Sequence, residues 1–270
     1  MRVPVLTYHS NNVSGNDYAS NDHVALAQDL RRVARLGLRI VPLATVVDVL
    51  LGDAPASTVE RAVALSFDDG SWFDWHDIDH PTWGPQRGFA GILRDFAAET
   101  GAAAHATSFV IVSPEARATL DRTCLAGRGW WGDEWWRAAQ AEGLLAIESH
   151  SWDHNHPTLP RAAQDRSGTF RTIDSYGEAD AQIRQAADWL DAFLAPRRSR
   201  LFAFPYGETN DYLLRDYLPL RAGEHRLRAA FGTEPAPVTR GSDRWNLPRY
   251  IAGAHWNEPA GLERLLASIG

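Results

Sequence analysis

The sequence predicts an α/β fold, a distorted (β/α) barrel of seven or eight mostly parallel strands, in one domain over residues 1–270. Three observations predict it. Short apolar strand patterns alternate with amphipathic helix patterns throughout, with no internal repeat and no linker, as in parallel β/α units. Polar residues capable of chemistry follow several different strands, where a barrel gathers its active site. No glycine-rich phosphate loop follows the first strand, which weighs against the rival architecture, an open doubly wound nucleotide-binding sheet.

The elements are expected in the following order. Val3–Tyr8 reads as a first strand ending at His9, and the polar residues 11–21 as a loop. Asp22 is placed as the cap of a helix reaching Leu36, with Leu26, Leu30, Val33 and Ala34 on its apolar face and Gly37 as its stop. A strand at Leu38–Val41, a helix at Ala44–Leu51 and a turn at Gly52–Thr58 lead to a second long strand. There Val63, Leu65 and Phe67 alternate with the small Ala64 and Ser66. Ser71–Arg87 has no period and reads as a long loop. A helix at Gly88–Thr100, a strand at Ala106–Val112, a helix from Trp130 to Glu142 starting near Asp133, and a strand at Leu144–Glu148 come next. Arg161–Asp174 is polar and loop-like. Ser175 and Glu178 make a capping box for a helix reaching Leu194. The chain closes with a strand at Leu201–Phe204, a helix around Tyr212–Leu218, strands near Ala229–Gly232 and Trp245–Ile251, and a helix at Pro259–Ile269.

Composition narrows the function. A hydrophobic content of 44% with 23% charged residues suits an ordinary globular core, and a net charge of −7 argues against a broad nucleic-acid footprint. No apolar run approaches membrane-spanning length, and the N-terminus lacks the apolar core of a signal peptide, so the expected location is the cytoplasm. Cys124 is the one cysteine, which excludes an internal disulfide and fits a reducing compartment. Eleven tryptophans are many, and two clusters (Trp72, Trp75, Trp83 and Trp130, Trp131, Trp135, Trp136) lie among Gly, Asp and His. Core packing is the default for such rings, while rings open to a cleft would suit stacking on sugar faces.

Three motifs carry chemistry. The strand Val63–Phe67 stops at Asp68-Asp69-Gly70. Two adjacent carboxylates at a strand mouth repel each other, and a divalent cation would hold them; a helix N-cap is the plainer explanation. His150-Ser151-Trp152-Asp153-His154 sets two imidazoles four residues apart, on one side of a helical turn. With Asp69 they would make a two-His, one-carboxylate metal site with open positions. Surface histidines beside a cap are the alternative. Phe202-Ala203-Phe204-Pro205-Tyr206-Gly207 ends a strand in a Pro-Tyr-Gly turn.

Taken in order, Ser-Phe-Asp-Asp-Gly, His-Ser-x-x-His and Phe-Pro-Tyr-Gly resemble the polysaccharide deacetylase family, the chitooligosaccharide deacetylase homology domain of carbohydrate esterase family four. Val5-Leu6-Thr7-Tyr8-His9 and Ala106-Thr107-Ser108-Phe109-Val110 extend the resemblance over nearly the whole chain. It implies a deacetylase-type distorted barrel and a divalent metal, commonly zinc, used to remove acetyl groups from N-acetylated sugars. It also implies Asp69, His150 and His154 as metal ligands and Asp68 as general base. Tyr206 would supply a backbone N–H to the oxyanion. Pro205, Trp72 and Trp152 join Tyr206 as substrate-binding residues.

The chain departs from the family pattern twice. Ala203 stands where an Arg usually orients the base, and Arg249 is offered as its replacement, against a plain edge-strand surface Arg. No Leu-x-His motif supplies the general acid, and His255 and His9 are the candidates. His76, His80, Asp74, Asp77 and Asp79 allow a second metal site or a solvated substrate-facing loop. His105, His156 and His225 read as structural or surface residues. An acetylated sugar or oligosaccharide is the expected partner, with neither nucleic acid nor membrane. A hydrolase of a non-sugar amide and a catalytically silent carbohydrate-binding relative remain alternatives.

Overall fold

A computed structural model describes residues 1–159 and 168–267. Eight strands form its main sheet: β1 (Val5–Tyr8), β2 (Arg39–Ile40), β3 (Ala62–Phe67), β4 (Ala106–Val110), β5 (Leu145–Ser149), β6 (Leu201–Ala203), β7 (Ala229–Phe231) and β8 (Tyr250–Ile251). Their order is β7-β6-β5-β4-β3-β1-β8, with β2 beside the first residues of β3, and every pairing is parallel. All six residues of β3 are buried.

The sheet curls. Phe109 of β4 and Phe231 of β7 lie three strands apart in the order, yet their ring centroids are 5.7 Å apart. A flat sheet would hold those strands about 14 Å apart. The gap between the outer strands is bridged by one short segment. Leu247 N donates to Ala230 O of β7 (2.8 Å) and Gly232 N donates to Leu247 O (2.9 Å), while β8 just beyond pairs with β1. The architecture is the distorted, mostly parallel half-barrel expected from the sequence. Alternation along the strands explains the two packing faces. Leu6, Tyr8, Val63, Leu65 and Phe67 join a cluster with the helices, whereas Val5, Ala64, Phe109, Ala203, Phe231 and Leu247 meet on the opposite side.

The helices are α1 (Asp22–Arg35), α2 (Leu43–Leu51), α3 (Phe89–Thr100), α4 (Pro114–Cys124), α5 (Trp136–Glu142), α6 (Tyr176–Gln182), α7 (Arg184–Phe193) and α8 (Pro259–Ala267). Several differ from expectation. Asn21, not Asp22, caps α1, its side chain accepting from His23 N and Val24 N. Asp22 instead accepts from His9 N at 2.8 Å. α4 is an element beyond those expected, although Ser113 caps it and Pro114 opens it, a standard start signal. Trp130 and Trp131 stay outside α5 because Asp121 of α4 accepts from Gly129 N and Trp130 N, both at 2.9 Å. The helix expected from Ser175 to Leu194 breaks at Ile183 into α6 and α7. Inside the expected loop 71–87, Ile78–His80 and Gly84–Gln86 pair as a small hairpin. The last strand shortens to β8, since Leu247 already serves β7. The polar loop expected over Arg161–Asp174 lies partly outside the described residues, as does the end of the helix expected at Pro259–Ile269. No helix among the described residues is long and apolar enough to cross a membrane.

Candidate active site

The C-terminal ends of β1, β3 and β5 and the turn after β6 converge on one cleft of about 390 Å³. It is lined by His9, Asp68, Asp69, His150, His154, Tyr206 and His255, among others. Parallel pairing places Phe67 opposite Tyr8 and Ser108, and Val110 opposite Ser149, so the residues that follow these strands emerge side by side. Asp69 (φ 74°) and Gly70 (φ 69°) both adopt the left-handed conformation. That sharp turn sends the neighbouring carboxylates to different partners. Gly70 has no room for a side chain, because a Cβ there would lie 2.5 Å from Val110 Cγ1.

Asp68 faces Arg249. Its Oδ1 accepts from the guanidinium at 2.6 Å and its Oδ2 at 2.9 Å. Arg249 is fully buried, lies 5.4 Å over the Phe109 ring, and donates from Nε to Gly232 O at 3.0 Å. The edge-strand surface alternative for Arg249 is thereby excluded: the closing segment carries it inside the curl. Burial works against ionisation of Asp68, but the Arg249 charge and its hydrogen bonds, with His150 and His9, hold the carboxyl well below the usual range.

Asp69 faces the two histidines. Its Oδ1 lies 3.7 Å from His150 Nε2 and 3.6 Å from His154 Nε2, and one ligand atom from each of the three residues falls within 4.8 Å of the others. Asn11 Nδ2 donates to Asp69 Oδ2 at 3.1 Å. His150 Nδ1 lies 2.9 Å from the carbonyl of Ala203 and donates to it, which leaves Nε2 as a lone-pair donor toward Asp69. Burial works against the charged form of both imidazoles, pushing His154 down to about 3 and lowering His150 against the pull of Asp68 and Asp69. Ligation requires the neutral form. Ligand pairs on a tetrahedral ion with bonds of about 2.0–2.1 Å stand about 3.3 Å apart, and the two Asp69–His separations, 3.7 and 3.6 Å, are close to that spacing. The field is negative here. Burial, supported by the charges of Asp69 and Asp68 and opposed by hydroxyls of Ser10 and Ser108, pushes the buried Asp74 up to about 7.

The loop after β5 does not form the helical turn expected from the His-x-x-x-His spacing. Ser151, His154 and Asn155 have φ of 73°, 65° and 46°. Ser151 Oγ accepts from His154 N at 2.9 Å, and this irregular loop brings the imidazoles to 4.9 Å between centroids. Backbone strain of this kind concentrates where function over-determines the conformation.

The remaining expected residues divide. Tyr206 lines the cleft, half exposed, with its ring 4.6 Å from His154 and its φ at 57°; Pro205 beside it is buried and outside the lining. His9 and His255 both line the cleft. His9 Nε2 is 4.0 Å from Asp68 Oδ2, while His255 Nδ1 accepts from Ile251 N at 2.8 Å. Trp72 and Trp152 do not line it. Trp72 donates to Glu134 and lies tilted against the His76 ring, and Trp152 packs against the main core. Both rings are partly buried against the main core. His156, expected to be structural or at the surface, does line the cleft. Trp131, of the second tryptophan cluster, lines the cleft, as does Asn11, which was expected only as part of a polar loop although it shares with Asp69 and His150 the signature of following a strand closely. Among the described residues, Asp69, His150 and His154 form the group able to hold a metal. In the 71–87 segment, His80 Nδ1 is occupied as acceptor for Thr82 N and Trp83 N.

Residues 56–220 match the polysaccharide deacetylase family. The chain belongs to that family. Solved structures of similar fold include the deacetylase PplD from Streptococcus pyogenes in complex with acetate, 17% identical with a TM-score of 0.65, covering 98% of each chain. IcaB from Ammonifex degensii is 19% identical with a TM-score of 0.65, covering 99% of this chain and 97% of that one. A de-N-acetylase from Aggregatibacter actinomycetemcomitans is 16% identical with a TM-score of 0.65, covering 98% of this chain and all of that one. No curated protein sequence matches this chain. At these identities the structural likeness speaks for the fold, and the family match speaks for deacetylase chemistry.

Proposed function

We propose that this chain is a metal-dependent hydrolase that removes an N-acetyl, or O-acetyl, group from a carbohydrate. One observation carries the reading: adjacent carboxylates have opposite commitments, Asp68 to Arg249 and Asp69 to a pair of neutral histidines. Asp69, His150 and His154 would hold the cation, and zinc suits their donor set. Bound there, a divalent cation supplies Lewis-acid polarisation of the acyl carbonyl and lowers the pKa of water.

The chain's own groups do the rest. Asp68, kept ionised and oriented by Arg249, accepts the proton of the attacking water. The Tyr206 backbone N–H donates to the developing oxyanion, and the half-exposed Tyr206 ring offers a face to the sugar. His9, which lines the cleft with its Nε2 4.0 Å from Asp68 Oδ2, protonates the departing nitrogen. It is favoured over His255, whose Nδ1 is engaged with Ile251 N.

Acetate release from N-acetylated oligosaccharides, measured with metal-loaded and chelated protein, tests this. Release that stops on chelation and returns with zinc is expected. No release from any N-acetyl or O-acetyl sugar by the metal-loaded chain would favour the silent carbohydrate-binding alternative, and release confined to non-sugar amides would move the substrate class.

A further inference from the structure

Asp69 is a non-glycine residue in the left-handed conformation, and its backbone carbonyl is held from two directions. Trp131 Nε1 donates to Asp69 O at 2.9 Å, and Ile111 N donates to the same oxygen at 3.3 Å. Fixing that oxygen fixes the peptide plane after Asp69 and so the direction in which its carboxylate leaves the backbone.

Trp131 is delivered by a segment without regular structure that is nonetheless tightly bound. Asp121 of α4 accepts from Gly129 N and Trp130 N, both at 2.9 Å. Arg117, one turn earlier on α4 and 3% exposed, donates to Trp131 O at 2.9 Å and to Asp133 Oδ2 at 2.6 Å. Trp72 N, just past the Asp69-Gly70 turn, donates to Trp130 O at 2.8 Å. The segment is thus tied both to the outer helix and to the turn that carries the carboxylates. The ring of Trp131 is itself buried against Ile111, Leu120 and Ala116. An indole N–H in such a wall needs an acceptor, and the acceptor it has is the main chain of the metal-binding carboxylate.

We propose that Trp131 is a positioning residue for the metal centre: its indole N–H, braced by Arg117 and Asp121, holds the strained Asp69 main chain so that the carboxylate faces His150 and His154. This rests on the metal-centre reading above. Outer partners of metal ligands commonly alter affinity by about 10–100-fold, and an indole acting through the ligand's main chain falls in the same class.

The test is Trp131→Phe in the full chain, which keeps a ring in the wall and removes the donor. Zinc affinity is read by competition with a chromogenic chelator, the melting temperature is read without metal, and the cobalt-loaded absorption bands report ligand geometry. The expected result is a zinc Kd about tenfold higher with altered cobalt bands, while the metal-free melting temperature stays within a few degrees. A Kd within about twofold of wild type, with unchanged cobalt bands, overturns the proposal. Should Trp131→Phe fail to fold, Arg117→Lys keeps the charge but loses the fork on Trp131 O and Asp133; a zinc Kd raised about threefold supports the brace and an unchanged one overturns it. A wild-type chain that takes up no zinc overturns the metal-centre reading itself, and this inference with it.

Discussion

Arg249 grips Asp68 with both terminal nitrogens, at 2.6 and 2.9 Å, from a segment 181 residues further along the chain. The pair sits where the curled sheet closes, with Arg249 also tied to Gly232 O and Ser66 Oγ. A bidentate guanidinium fixes carboxylate orientation as well as charge. In the proposed mechanism it takes the orienting part that Ala203, with no charged side chain, does not.

Arg249→Ala should therefore lower turnover about 100-fold or more while leaving zinc stoichiometry near wild type. It should also cost roughly 3–5 kcal/mol of stability, because it strands a buried carboxylate. With the guanidinium gone, burial raises the Asp68 pKa, so the acid limb of the rate profile moves to higher pH. Steady-state kinetics with metal analysis checks this; an unchanged rate rejects the role.

The division of labour between the adjacent carboxylates makes a contrast. Asp68→Asn should bind zinc nearly as wild type and lose roughly 10³-fold in kcat, in the range of a missing general base. Asp69→Asn should lose zinc at chelator concentrations the wild type tolerates. Isothermal titration with zinc separates the two, and equal zinc affinities for the variants would refute the assignment.

The two candidate acids give different pH profiles. A general acid must carry its proton, so its loss abolishes the fall in rate on the basic side. His9→Ala should remove that basic limb and lower kcat about 100-fold or more. His255→Ala should keep the limb. The reverse pattern would assign the proton to His255.

Much of this site was legible because its parts are local in sequence. Asp68-Asp69-Gly70 and His150 with His154 each follow a strand, and in a parallel sheet strand ends meet without any knowledge of pairing order. The burial of Arg249 was not legible. The stretch containing it serves β7 through Leu247 and β1 through Tyr250 and Ile251, and only the curl turns an edge into an interior. Trp131 was hidden for a related reason: its partner, Asp69, is 62 residues away and is met through a main-chain oxygen that leaves no mark on the sequence. Trp72 and Trp152, expected to bind substrate, lie outside the lining of the cleft. Aromatic rings near a motif look available for stacking, but the same rings are the ones tertiary packing claims first. The helical turn expected at 150–154 failed because spacing reports which residues meet, not the backbone that brings them together.

Away from the site, Asp29 makes stability depend on pH. It is buried, accepting from Tyr8 Oη at 3.0 Å, Tyr18 Oη at 2.7 Å and Trp256 Nε1 at 3.1 Å, and so joins β1, α1 and the segment before α8. Burial pushes its carboxyl up to about 6 despite those donors. A carboxyl raised in the folded state favours folding while protonated. That contribution is fully present below about pH 4, the unfolded value, and is lost as pH rises through about 6. Asp29→Asn removes the titration, whatever it costs in hydrogen bonding. Urea unfolding should therefore show the wild type gaining about 1.4 kcal/mol relative to Asp29→Asn on moving from pH 7.5 to pH 5. A stability difference that stays constant between those two pH values would mean that Asp29 is ionised throughout, with its three donors outweighing burial.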